Sequence, residues 1–157
     1  MEEPPSFIAD EMNGRLARWL RILGFDCLYI SGGNADNNIL KLALKTGRIV
    51  LTGDKELYRK IIRRGGYAIL TPGDTLENKF RYLKNKIDLK KWVGKLPHRC
   101  SVCNSILVKV PSSTIPDLPP SVKERFTYVW HCNNCGKTYW EGSHWINIKK
   151  QIKRLLT

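Results

Sequence analysis

Apolar residues in the first half of the chain come in short unbroken runs that alternate with segments of helical period. Residues 6–10, Ser-Phe-Ile-Ala-Asp, predict a buried strand ending in a carboxylate. Over 14–23, Leu16, Leu20 and Leu23 recur at helical spacing with Trp19 beside them, while Arg15, Arg18 and Arg21 fall at intervals of three on another face. Asn13 is placed to cap this helix, and Gly24 to close it in a left-handed turn. The unit then repeats. Residues 25–30 predict a second strand and 31–34 a loop. Residues 36–45 predict a helix with Ile39, Leu40, Ala43 and Leu44 inward, and 48–52 a third strand. A basic helix over 55–64 stops at Gly65-Gly66, a fourth strand covers 67–70, and Asp74-Thr75-Leu76-Glu77 resembles a capping box that opens a helix over 75–86.

The order β-α-β-α-β-α-β-α, with strands apolar throughout, predicts a parallel sheet covered by helices on both faces. Beyond residue 95 the pattern changes. Residues 111–120 are rich in Pro and Ser and predict a loop without regular structure. Strands are expected over 126–130 and 137–140. A last helix over 145–156 has Trp145, Ile148, Ile152 and Leu155 on one face and lysines around the rest, a face suited to docking the helix on the protein. The expected division is an α/β domain over 6–95 and a small second unit over 96–157.

No apolar run in the 157 residues approaches the roughly 20 needed to span a bilayer. The N-terminal residues Met1-Glu2-Glu3-Pro4-Pro5 lack the basic and apolar regions of a secretory signal, so the expected location is cytoplasmic, without membrane attachment. Charge adds a partner. Lys and Arg number 27 against 14 Asp and Glu, an excess of 13. It is spread over both parts, with 18 basic and 11 acidic side chains before Pro97 and 9 and 3 from there on. Phosphate neutralisation and counterion release reward such a surface, which points to a polyanion such as RNA.

Four of the five cysteines, Cys100, Cys103, Cys132 and Cys135, form two C-x2-C pairs with 28 residues between them. This is the spacing of a structural zinc site, in which each tight turn presents two thiolates to one tetrahedral ion. Two disulfides are the competing arrangement. They would require an oxidising compartment and would leave Cys27 unpaired; in its apolar run Cys27 reads as a core residue. His98, His131 and His144 lie near the cysteines or beyond them and offer little for a histidine-dependent reaction.

Catalytic chemistry is sought upstream. Asp10 ends the first strand, Asp36 begins the helix after the second, and Asp54 follows the third. A parallel sheet would send all three to its carboxyl edge, where oxygen ligands suit Mg²⁺ or Mn²⁺. Helix capping is the competing role for each. No nucleophile elbow, phosphate-binding loop or dinucleotide fingerprint occurs.

Residues 7–26, Phe-Ile-Ala-Asp-Glu-Met-Asn-Gly-Arg-Leu-Ala-Arg-Trp-Leu-Arg-Ile-Leu-Gly-Phe-Asp, the Thr52-Gly53-Asp54-Lys55-Glu56-Leu57 segment, both cysteine knuckles and the Gly142-Ser143-His144-Trp145 run closely resemble the Mut-seven C-terminal RNase domain family. The resemblance implies a PIN-like three-layer α/β/α nuclease domain followed by a zinc ribbon and a C-terminal helix. It further implies a metal-dependent endoribonuclease with Asp10, Asp36 and Asp54 as catalytic ligands of Mg²⁺ or Mn²⁺ and the four cysteines as ligands of structural zinc. Arg15, Arg18 and Arg21 would then hold RNA phosphates or form a solvated helix face. Two residues depart from the family pattern: Asn37 stands where a further acid is common, and Asn13 replaces an apolar residue. Asp74, Glu11 and Glu56 are the candidates for a fourth carboxylate. A fold that binds RNA or the ribosome without cleaving, and a toxin-like partner of an inhibitor protein, are the alternative functions.

Overall fold

The computed structural model describes residues 2–157. Strands β1 (Phe7–Ala9), β2 (Cys27–Tyr29), β3 (Ile49–Thr52) and β4 (Tyr67–Leu70) form a parallel sheet in the order β2-β1-β3-β4. The register sets Phe7 opposite Cys27 and Ile49, and Thr52 opposite Leu70. Apolar runs without alternation are explained by burial on both sides. Phe7, Ala9 and Leu51 pack with α1 (Gly14–Ile22) and α4 (Leu76–Lys86), whereas Ile8 and Val50 pack with α2 (Ala35–Thr46) and α3 (Lys55–Arg63).

Connection direction accounts for this division of helices. From β1 the chain moves to β2 on one side of the sheet, and the next two connections run the other way, through β3 to β4. Crossovers of one hand that run in opposite directions place their helices on opposite faces, so α1 covers one face and α2 and α3 the other. The reversal makes the carboxyl ends of β1 and β3 a switch point, the crevice where open parallel sheets bind ligands.

The start of α1 differs from the sequence expectation. Glu11–Asn13 form a 3-10 turn capped by Asp10, whose side chain accepts the Met12 N–H. Asn13 makes no side-chain cap to α1, because its amide is held elsewhere. Gly24 closes the helix as expected, at φ 100°. A Cβ there would lie 2.7 Å from Leu96 Cβ and 2.8 Å from Pro97 O, so the linker to the second unit runs against this glycine.

In the second unit β5 (Val108–Pro111), β6 (Tyr128–His131) and β7 (Thr138–Tyr139) form an antiparallel sheet in that order. The irregular loop expected over 111–120 is shorter than predicted. Pro111 ends an edge strand, where a missing N–H is tolerated. A 3-10 turn at Ser112–Thr114 follows, and Pro120 opens α5 (Pro120–Arg125), a position where its fixed φ suits a helix. Leu118, Val122 and Val129 make a small core there, with Trp140 packed on it. Helix α6 (Ser143–Leu156) returns to the first unit, and Leu155 and Leu156 are buried in the same cluster as Phe7, Leu20 and Phe80. No helix among the described residues is long and apolar enough to cross a membrane.

Candidate functional site

Asp10 sits at the switch point and is 7% exposed. Its Oδ2 accepts a 2.6 Å hydrogen bond from Thr52 Oγ1, at the end of β3. Its Oδ1 accepts from Asn13 Nδ2 at 2.9 Å and from the Met12 N–H at 3.2 Å. Asn13, itself buried, also donates to Leu51 O and approaches Thr71 Oγ1 at 3.2 Å, so one amide links the ends of β1, β3 and β4. Lys79 of α4 donates to Met12 O at 2.8 Å and brings a positive charge close by. Burial pushes the Asp10 carboxyl above its ordinary value, while the bonds from Thr52, Asn13 and the Met12 N–H, and the charge of Lys79, pull the other way.

Asp54 follows the neighbouring strand β3, exposed, as the N-cap of α3. Its Oδ1 accepts from the N–H groups of Glu56 at 2.8 Å and Leu57 at 3.4 Å, and its own N–H donates to Thr52 Oγ1 at 3.0 Å. Thr52 thus connects the two aspartates. Asp36 is exposed in the first turn of α2, after β2. All three therefore follow strands of the parallel sheet, with Asp74 in the same relation to β4. They do not form a compact ligand cluster. Among the described residues the four cysteines are the one group of three or more Cys, His, Asp or Glu whose ligand atoms all lie within 4.8 Å of one another.

Asn13, Thr52 and Thr71 were not predicted as parts of this site. A signal for two of them exists in the repeated ending Thr52-Gly53-Asp54 and Thr71-Pro72-Gly73-Asp74 on adjacent strands. For Asn13 the signal is an amide in place of an apolar residue.

The cysteine pairs take one conformation twice. Cys100 N donates to Ser105 O and Cys132 N to Lys137 O, each at 2.8 Å; Asn104 N donates to Cys100 O and Gly136 N to Cys132 O, each at 2.9 Å. The residue after each second cysteine is left-handed, Asn104 at φ 75° and Gly136 at φ 83°, as a tight turn with little Cβ tolerance requires. Cys100 and Cys135 Sγ are 3.6 Å apart, and Cys103 and Cys132 Sγ 3.4 Å. Four sulfurs 2.3 Å from one ion have tetrahedral edges of about 3.8 Å, so the cluster has the size and donor chemistry to hold a metal such as zinc, with no disulfide formed. His98 and His131 are not in the cluster: His98 stacks on Trp130 with centroids 3.9 Å apart, and His131 Nδ1 pairs with Thr138 Oγ1 at 2.8 Å.

The arginine row requires correction. Arg15 and Arg18 are exposed, but Arg21 is 8% exposed and donates to Cys27 O at 2.8 Å, Ser101 O at 3.2 Å and Val102 O at 3.1 Å. Its guanidinium joins β2 to the first cysteine turn and is taken up by those bonds within the protein. Helix geometry gives the reason. Three residues advance about 300°, so a row at that spacing winds back about 60° per step and its third member lies about 120° from the first. Cys27 is fully buried, and burial pushes its thiol up to about 12, which leaves it inert as a nucleophile.

The model of the Mut7-C RNAse domain matches residues 5–152, nearly the whole chain. No curated protein matches, and no solved structure does. The match spans the parallel sheet, the carboxylate crevice and the cysteine cluster together, and on it the chain belongs to the Mut7-C RNAse domain family.

Proposed function

We propose that the chain is an endoribonuclease dependent on Mg²⁺ or Mn²⁺, with zinc in the cysteine cluster as a structural ion. The observation that carries this reading is Asp10, a carboxylate held from two sides at the switch point of a parallel sheet in an RNAse-family chain. The donor set fits a hard cation. Oδ2 of Asp10 accepts one bond from Thr52 and keeps a lone pair, and Asp54 caps α3 through Oδ1 alone, leaving Oδ2 for a ligand role. Asp10, Asp54 and Asp36 are spread along the sheet edge, so they would hold the ion partly through bridging water, with RNA phosphate completing a sphere that Mg²⁺ seldom takes wholly from protein. When bound, the ion supplies a water of lowered pKa and neutralises charge gathering on the phosphodiester. Thr52 and Asn13 orient Asp10, and Arg15 and Arg18 hold the RNA backbone. Four thiolates would fill the zinc tetrahedron and leave it no open position for catalysis.

The test uses zinc-loaded protein and labelled single-stranded RNA with added Mn²⁺ or Mg²⁺. Wild type should cleave, and Asp10→Asn and Asp54→Asn should each slow cleavage by at least about 100-fold while still binding. The spread of the three aspartates favours one second reading, an RNA-binding protein that has kept the fold without cleavage. Wild type that binds RNA and cuts it with neither metal decides for that reading.

A further inference from the structure

A cavity of about 280 Å³ lies between α1, the ribbon sheet and the start of α6, apart from the carboxylate crevice. Its walls are aromatic, with Trp130, Tyr139, Trp140 and Trp145, while the exposed Arg18 and Lys137 stand among its lining residues. We propose that this cavity is a subsite for one unpaired base of single-stranded RNA, with Arg18 and Lys137 on the adjoining phosphates. The proposal rests on RNA as the polymer bound, and it deepens that reading by assigning where a base is recognised.

Four observations carry it. The volume is close to the lower end of ligand pockets, about 300 Å³, which suits one ring system with its sugar rather than a longer segment. An aromatic interior offers stacking surface to any base, and cations beside it suit the backbone of the same strand. The indole Nε1 of Trp145 is buried without an acceptor, the one such side-chain nitrogen or oxygen among the described residues. Its surface is closed to solvent here, so the ring must turn toward the cavity before a base carbonyl or ring nitrogen can accept from it. Finally, Gly142 gives α6 no side-chain cap, so the first turn of a 14-residue helix opens beside the cavity, where its dipole favours an anion.

The path to the crevice is short. Helix α1 begins next to Asp10, carries Arg15 and then Arg18 on its exposed surface, and reaches the cavity with Arg18 and Ile22, about 12 Å along its axis from Gly14. A strand of a few nucleotides laid along α1 places a base in the cavity and a phosphodiester near the carboxylates.

The test measures anisotropy of a fluorescein-labelled eight-nucleotide RNA on the zinc-loaded full chain without added divalent metal, beside the same oligonucleotide made abasic. Wild type should bind the abasic strand about tenfold more weakly, and Trp140→Leu should weaken the intact strand about tenfold but the abasic strand little further. Lys137→Glu should weaken both. The abasic comparison on wild type stands alone if Trp140→Leu does not fold. Equal wild-type affinity for intact and abasic strands overturns the subsite, as does inorganic polyphosphate competing as well per phosphate as RNA. Cleavage activity separates the two readings. Wild type that prefers the intact strand yet cuts nothing keeps the subsite and removes the nuclease, whereas cleavage with equal binding of both strands does the reverse.

Discussion

Asp10 is costly to ionise inside the fold, and the cost has a pH signature. Its carboxyl is raised above 3.8, chiefly by burial. The native state therefore holds this proton to higher pH than the unfolded chain does. Between 3.8 and the raised value the unfolded chain binds fewer protons, so this group's contribution to stability is fully present below 3.8 and is lost as pH rises through the native value. Asp10→Asn removes the titration and nearly preserves the shape. Urea unfolding at several pH values should show the variant gaining on wild type as pH rises through that window; a variant that loses ground instead would mean that Thr52, Asn13 and Lys79 outweigh burial. At this scale the sequence disclosed ends of strands better than partners. Asp10 is legible because a carboxylate closes an apolar run, but Thr52, Thr71 and Asn13 act by meeting in space, 38 to 58 residues apart where they bridge strands. Arg21 misleads because a spacing of three looks like a straight row and is not.

The cysteine turns are more than metal holders, because Asn104 joins the first of them to the sheet. Its Oδ1 accepts the Cys27 N–H at 3.0 Å, and its Nδ2 donates to Asp26 Oδ1 at 2.7 Å. Asp26 in turn grips Arg48 through both oxygens, at 2.8 and 2.9 Å. Burial would raise the Asp26 carboxyl, but its bonds from Arg48 and Asn104 hold it below the ordinary value. Asn104→Gly keeps the left-handed backbone and deletes both links, at a cost of about 1–3 kcal/mol. Asn104→Ala adds about 1–2 kcal/mol of backbone strain. Chemical denaturation should rank the three Asn, Gly, Ala in falling stability, and a glycine variant as stable as wild type would show the links to be idle. Elements of strong period were legible, namely the four parallel strands, their helices and the docking face of α6. The ribbon strand β5 and helix α5 were not, because Pro111 and Pro120 count as breakers by composition, yet one ends an edge strand and the other opens a helix.

Residues 6–95 and 96–157 read as separate units by composition, but their surfaces interlock. Leu155 and Leu156 complete the core around Phe7 and Leu20, and Arg21, Arg99 and Asn104 span the junction with hydrogen bonds. Metal removal should therefore be felt throughout. A chelator that strips the cluster should lower the thermal midpoint by at least about 10 °C, with helical circular dichroism and tryptophan fluorescence melting together; helices that melt unchanged in the metal-free protein would show the ribbon to be independent. The excess of 13 positive charges was legible as a polyanion signal from composition, but the meeting of α1, ribbon and α6 around one cavity required the fold. The Thr52 bond also makes the carboxylate a gauge of the β1–β3 seam. One oxygen is fixed by its own turn and the other by the neighbouring strand, so a slip of either strand rotates Asp10 before the sheet comes apart. On the proposed role of Asp10 as an ion ligand, core damage beneath it should be registered as lost ion affinity in a protein that still looks folded.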